Sequence, residues 1–372
     1  MKRPAGPARV ALAAIGWAWT PIATCLAVVA IVLASTTGSS VLQQIVTTSE
    51  IYLIVVVGLY IFVGNSGVLS FGHLGFMAFG AYTSALLTIP VEQKHFLLPA
   101  LPHFLASANL ATVPAALIGG AVAMLAAFVV ALPLMRLNGI AAGIGTFAFL
   151  IIVYVVVNNW NAVTRGEQTM LGVPLDTTMT GVMWWACSAI IVAYLFQESR
   201  VGLRLRATRE DEPAARAIGI GVFRERTLAF ALSAFWVGVG GALYGHLLGA
   251  FSAQAFYLPL TFLTFAMLVI GGINSLTGAV VGTIAVSTVT QLLLRVERGV
   301  TLFSVHFTAP NGTEQIVLAI FMLAILILRP AGITGGRELR WPFTLLSRRA
   351  EGGAAAGAPE DVSPIASSPA AE

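Results

Sequence analysis

Charge is what this chain of 372 residues has least of: only 10% is Asp, Glu, Lys or Arg, against about 25% in soluble domains. With 58% hydrophobic residues, that shortage excludes a globular cytosolic fold. Cysteine is nearly absent as well. Cys25 and Cys187 lie in separate apolar runs far apart in sequence, and two such residues build neither a disulfide framework nor a zinc pattern. Acids are missing from the middle of the apolar runs. Every Asp and Glu reads as a loop or helix-end residue, with Glu50 and Glu314 closest to entering. A charge at a helix centre costs ~2.5–3.5 kcal/mol on insertion scales, and proton-coupled carriers and pumps generally need such a titratable relay. The expected driving force therefore enters from outside the membrane. A phosphate loop of the form G-x-x-x-x-G-K-[ST] is also missing, which excludes ATP hydrolysis on this polypeptide. The net charge of +4 is no nucleic-acid signal, because its placement matters more than its size.

What the chain does have is apolar runs from end to end, each near the ~20 residues that carry a helix across a ~30 Å hydrocarbon core. An outer-membrane barrel would show short alternating segments instead. The expected fold class is an all-α integral membrane protein with about ten transmembrane helices. They read as roughly 12–34, 41–63, 67–89, 112–135, 138–158, 180–197, 227–249, 256–272, 277–295 and 313–329. Residues 1–11 read as an N-terminal segment, 12–340 as the polytopic domain with a charged loop at 198–226, and 341–372 as a disordered Ala-, Gly-, Pro- and Ser-rich tail. The first apolar run exceeds the 7–15 residues of a signal peptide and lacks a clean A-x-A site, so it reads as an uncleaved helix. Sixteen of the twenty basic residues fall on the side of the two termini and the charged loop, and four on the other. By the bias of Lys and Arg to cytoplasmic loops, both termini and the loop are expected in the cytoplasm, in a multi-pass bacterial inner membrane protein.

The charged loop holds seven arginines between Arg200 and Arg226. Within it Asp211 or Glu212 can cap a short helix, and Pro213 is tolerated in its first turn. Ala214, Ala215 and Ala217 favour helix and leave a slim profile, and Gly219 suits a left-handed terminator. Arg209, Glu210 and Arg216 are placed to make charged contacts at the rim of a docking surface. Binding of anionic lipid is the competing role, but the interleaved Glu210, Asp211 and Glu212 would repel a negative surface.

Several blocks carry a family resemblance. Gly64 to Tyr82 (GNSGVLSFGHLGFMAFGAY), Leu137 to Phe149 running on to Trp160, Ser199 to Gly219, and Leu228 to Phe235 with Gly240 to Tyr244 resemble, in order and spacing, the branched-chain amino-acid ABC transporter permeases. The likeness spans roughly residues 50–330 and is closer to the LivM-type subunit than to the LivH-type. The block from Ala162 to Gly172 departs from the usual Thr-Gly-Gly-rich segment, which bears on the solute rather than the class. The resemblance implies a non-enzymatic permease subunit for branched-chain amino acids or a related small polar solute such as urea or a short amide. It implies a second, LivH-type permease, two ATP-binding subunits that use ATP and Mg, and an external solute-binding protein. It also implies that Glu212, Ala214, Ala215 and Gly219 belong to the motif that docks on the ATPase. No cofactor is expected on this chain, and no nucleic acid among its partners; membrane lipid surrounds it. The alternative is a passive channel or secondary carrier for a neutral solute.

Polar residues in or bordering spans that suit a translocation path are Ser70, His73, Asn158 and Asn159, though capping and interhelical hydrogen bonds explain them about as well. His73 and His246 read as polar packing or turn residues rather than a haem pair. Gly139/Gly143, Gly241/Gly245/Gly249 and Gly278/Gly282, each at four-residue spacing, suit close helix packing.

Overall fold

A computed structural model describes residues 7–297, 300–302, 305–307, 310, 312–329 and 331–339. The expected N-terminal segment falls only partly within these, and the tail 341–372, Arg340, Arg348 and Arg349 lie outside them, as does the Glu314 side chain. The chain divides into two compact units, one of residues 1–22 with 339–372 and one of residues 23–338. In the first, the Thr20 hydroxyl donates to the Leu339 carbonyl at 2.9 Å.

The helices run α1 (Pro7–Thr36), α2 (Ser40–Ser66), α3 (His73–Thr88), α4 (Val91–Leu97) and α5 (His103–Ala106). Then follow α6 (Thr112–Leu134), α7 (Gly139–Asn159), α8 (Asn161–Thr164), α9 (Met179–Glu198) and the loop helices α10 (Arg200–Glu210) and α11 (Glu212–Ala217). The series closes with α12 (Val222–Leu248), α13 (Leu258–Gly271), α14 (Leu276–Glu297) and α15 (Thr313–Leu328). A small antiparallel hairpin, β1 (Val300–Leu302) with β2 (Val305–Phe307), pairs Thr301 with His306.

All ten expected windows fall on helices, and the all-helical membrane architecture stands. Among the described residues eight helices are long and apolar enough to span, or nine if α3 and α4 form one broken span. The tenth window is α15, only 16 residues long. The break between α3 and α4 bends the chain by 117°. Its cause is Pro90, which pushes the preceding residue out of the helical region; Ile89 has φ −57° and ψ 133°.

The expected start of the third helix at residue 67 is corrected, to His73. Gly67 takes φ +70° and closes α2 by donating its N–H to the Val63 carbonyl, so residues 67–72 cross as irregular backbone. Such backbone survives at membrane depth only where protein covers it. Here the Thr146 hydroxyl of α7 accepts the Phe71 N–H at 3.2 Å.

Helix α12 sits at the centre, packed on α2, α3 and α6. The contact is backbone against backbone: a Cβ on Gly80 of α3 would overlap the Gly238 carbonyl of α12, and one on Gly241 would overlap the Met77 carbonyl. Gly278 and Gly282 likewise let α14 reach the backbone of α13 at Gly271 and Met267. The expected role of Gly139 and Gly143 does not hold, since the nearest atom to either missing Cβ is the Leu69 carbonyl oxygen, 3.7 Å from that of Gly143. The cysteines are free, but the fold brings them together: the Cys25 thiol donates to the Cys187 carbonyl at 3.8 Å.

The reading of Glu50 as a helix-end acid is overturned. It lies ten residues inside α2, a 27-residue helix, and is only 5% exposed. The apolar window 41–63 begins within one residue of the observed start of α2 at Ser40, so the helix-end reading of Glu50 disagrees with that window as well.

Candidate functional site

The charged loop folds as two helices fastened to the ends of the membrane bundle. Ser199 starts α10 by accepting the Gly202 N–H at 3.1 Å. Asp211, not Glu212, caps α11, its Oδ1 accepting the Ala214 N–H at 2.9 Å. Pro213 lies in the first turn. The helix ends as the sequence suggested: Gly219 has φ +84°, its N–H donates to the Arg216 carbonyl at 3.0 Å, and that of Ile220 to the Ala215 carbonyl at 3.1 Å. These two bonds form a Schellman terminator.

Burial then sorts the expected docking residues. Pro213, Ala214 and Gly219 are exposed, and so are Asp211 and Ala217. Ile218, which the sequence reading passed over, is 77% exposed. Ala215 is buried at 3% and faces the protein's own interior, so its assignment to a docking surface is withdrawn. An alanine-rich turn carries no polar side to mark which alanine faces in.

Arg209 is not a free rim charge either. One terminal nitrogen of its guanidinium donates to the Gly64 carbonyl at 2.8 Å and to Asn274 Oδ1 at 3.1 Å. The other donates to Glu210 at 2.8 Å. It thus ties the loop both to the end of α2 and to the turn between α13 and α14. Glu210 remains on the outside, with its side chain 73% exposed.

Glu212 is held between Arg216, one turn on, and Arg226 of α12 at 2.8 Å. Arg226 also donates to Asn138, in the turn between α6 and α7, at 2.6 Å. Next to them Arg136, Arg216, Phe223 and Arg226 line a cleft of about 350 Å³. Burial pushes the Glu212 carboxyl up, but the hydrogen bond from Arg216 and the charge and hydrogen bond of Arg226 outweigh it and hold the group below its ordinary value. A carboxyl depressed in the folded state contributes stability that is present above its unfolded value, about 4.3, and lost as pH falls through the folded value. Amide exchange over residues 212–220, corrected for intrinsic rates, is therefore expected to be slow at pH 7 and to quicken below about pH 4. In Glu212→Gln it should already be faster at pH 7 and flat in acid. An unchanged acid profile in that variant would show that the carboxylate does not anchor α11.

Of the residues that suit a path, the structure brings two together and leaves two apart. Ser70 and His73 lie at the break before α3, fully or almost fully buried. The Ser70 hydroxyl and both His73 ring nitrogens lack a hydrogen-bond partner. The His73 ring sits among Phe62, Phe76 and Phe230, with centroids 5.7, 6.1 and 5.2 Å away. Asn158 and Asn159 end α7, twelve residues beyond the Thr146 level, which is ~18 Å along a helix. Asn159 is exposed and donates to its own helix at Val155, 2.8 Å away. His246 is polar packing as expected, its ring nitrogens 2.9 Å from the Ser84 hydroxyl and 2.9 Å from the Pro174 carbonyl.

Two cavities flank α2, and sequence reasoning missed both. One, of about 760 Å³, is lined by Tyr52, Tyr244, Gln254, Leu258, Phe262 and Met322. The other has Glu50 in its wall. The one available signal was that Glu50 is the sole acid in a long apolar stretch.

Eight or nine candidate spans among the described residues, with a charged loop at one end, define a polytopic membrane protein. Residues 41–326 match the family described as branched-chain amino acid transport system / permease component, and the chain belongs to that family. The chain is 27% identical over 348 residues to the high-affinity branched-chain amino acid transport system permease protein LivM of Escherichia coli K12, covering 84% of this chain and 73% of that one. It is 28% identical over 165 residues to the LivH permease protein of Salmonella typhimurium, covering 44% and 49%. A nucleoside ABC transporter permease protein, NupC of Lactococcus lactis, is 31% identical over 104 residues, covering 28% and 32%. The chain is a LivM-type permease subunit of an ATP-binding-cassette importer and a multi-pass inner membrane protein. Likeness to both LivM and LivH makes it one of a permease pair.

Proposed function

We propose that this subunit imports branched-chain amino acids, or a related small polar solute, by coupling α11 to ATP hydrolysed on two separate ATP-binding subunits. Its other partners are a LivH-type permease and an external solute-binding protein. The subunit itself takes no cofactor; ATP and Mg act on the partners. Both termini and the loop 198–226 face the cytoplasm, and the permease domain spans residues 12–340. The observation that carries the reading is the exposed Pro213, Ala214, Ala217 and Ile218 face on a short helix anchored through Arg209, Glu212 and Arg226. A helix so fixed can pass a push to three interhelical turns, and the arginine-lined cleft beside it suits acidic groups on a partner. Alternation of two permease subunits around a midplane path then moves the solute. Ser70 and His73 border that path at the α2–α3 break, with Asn158 and Asn159 a level further along.

The test is reconstitution. The chain alone, with ATP inside liposomes, should neither hydrolyse ATP nor concentrate leucine; with its pair permease, ATPases and binding protein it should do both. Reporter fusions after Ser199 should read as cytoplasmic, and those near Glu92 and Glu167 as external. Concentrative uptake by the chain alone on a proton gradient would overturn the reading in favour of a carrier.

A further inference from the structure

Glu50 is the least explained group in the molecule. It is only 5% exposed, it lies inside the candidate membrane-spanning helix α2, and neither carboxylate oxygen has a hydrogen-bond partner. Leaving an ionisable group unpaired in such surroundings costs several kcal/mol, and inside membranes such residues mark paths and ligand sites. Glu50 lines a cavity of about 290 Å³ between α1, α2 and α14, the volume of roughly ten waters.

The cavity's other polar groups narrow the ligand. Ser49 donates to the Ile45 carbonyl at 2.9 Å, Thr283 to Ala279 at 2.8 Å and Thr288 to Ile284 at 2.7 Å, so these hydroxyls have committed their protons to their own helices and can only accept from a ligand. Ser287, buried at 5%, lines the same cavity and its hydroxyl is unpartnered. Gln291 lines it one turn further along α14. The remaining wall is aliphatic, with Val28, Val32, Val46 and Leu53 among its members. Glu50 is the one charged side chain in this lining, too little negative charge for a hard divalent cation, and no group of three His, Cys, Asp or Glu side chains that could hold a metal occurs among the described residues. The set matches three N–H donors with one positive charge and a short hydrocarbon attached.

We propose that this cavity is an intramembrane binding site for a primary ammonium group on a short aliphatic chain, with Glu50 as counter-ion and Ser287 and Gln291 as flanking acceptors. Assigning that ammonium to the transported solute rests on the importer reading; the binding itself does not.

The test uses the full chain in membrane vesicles, with Cys25→Ser and Cys187→Ala as background and Ser49→Cys as reporter. The thiol introduced at position 49 is labelled with methyl methanethiosulfonate in the presence of isopentylamine or of neutral isopentanol. The amine at ten times its dissociation constant should slow labelling about 10-fold, and isopentanol should not. Glu50→Gln should abolish the protection, and Glu50→Asp should keep it. No protection by the amine, equal protection by isopentanol, or undiminished protection in Glu50→Gln would each overturn the site. So would an introduced thiol that never reacts, which would mean that lipid or a partner helix fills the cavity. The amine-versus-alcohol comparison stands even if Glu50→Gln fails to accumulate. Amine protection without ATP-dependent leucine uptake by the assembled transporter would remove leucine as the solute and leave the site in place.

Discussion

Ala214→Trp is expected to reduce ATP-dependent uptake by the assembled transporter about 30-fold while the protein still accumulates in the membrane, the equivalent of ~2 kcal/mol of docking free energy. Ala214 is exposed, and Ile218 one turn on is 77% exposed, so the two share the outer side of α11. An indole at 214 would hold a partner groove away from the helix. Ile218→Glu should act in the same direction by replacing an apolar anchor with a charge. Ala215→Trp is expected to behave differently. Its side chain points into the protein, so the variant should lose folded protein rather than coupling alone. Gly219→Val should be milder, about 1–2 kcal/mol of left-handed strain, because nothing lies within 4 Å of its missing Cβ. Cross-linking to the ATPase from a cysteine at Glu210, 73% exposed, should fall in step with uptake. Normal uptake and normal cross-linking in Ala214→Trp would show that α11 is not the docking element.

The other large effect belongs to the fold. Gly80→Val should nearly abolish accumulation of the protein, and even Gly80→Ala should lower its melting temperature markedly. The atom in the way is the Gly238 carbonyl oxygen, part of the backbone of the central helix. A flexible side chain could move aside, but two helix backbones cannot part without separating α3 from α12 along their length. Overpacking of this kind costs about 1–3 kcal/mol where neighbours can yield, and more where they cannot. Gly143→Ala is the matched control. Its nearest neighbour is 3.7 Å away, and alanine in place of a helical glycine is worth up to about 1 kcal/mol. Equal melting temperatures for Gly80→Ala and Gly143→Ala, measured on purified protein, would refute the backbone contact as a determinant of the fold.

The contrast between these two glycines shows what was legible in the sequence. Apolar runs located the ten longer apolar helices, because a lipid-spanning backbone must close its hydrogen bonds within the segment. Cap chemistry was legible too: Asp211, Pro213 and Gly219 act locally, and each took its expected conformation. What depended on a distant partner was not. Four-residue glycine spacing pointed to Gly139 and Gly143, which touch almost nothing, and passed over Gly80, whose partner is 158 residues away. The inward turn of Ala215 and the inward reach of Arg209 are likewise set by neighbours on other helices. The depth of Glu50, by contrast, was legible, because the window 41–63 begins within one residue of the start of α2 and holds Glu50 well inside it. Polarity alone selects the path residues, so two levels ~18 Å apart merge into one.

The grip of Arg209 on two helix ends through one nitrogen has a mechanical meaning. A guanidinium is a flat, stiff fork, whereas an ammonium is a single point on a supple stem. Because Glu210 holds two nitrogens of that fork and the third holds both Gly64 and Asn274, the ends of α2 and α13 are yoked to the same handle. Tilting that handle cannot move one helix and spare the other. In the coupling proposed above, a push on the loop would therefore reach the end of α2 and the turn after α13 together.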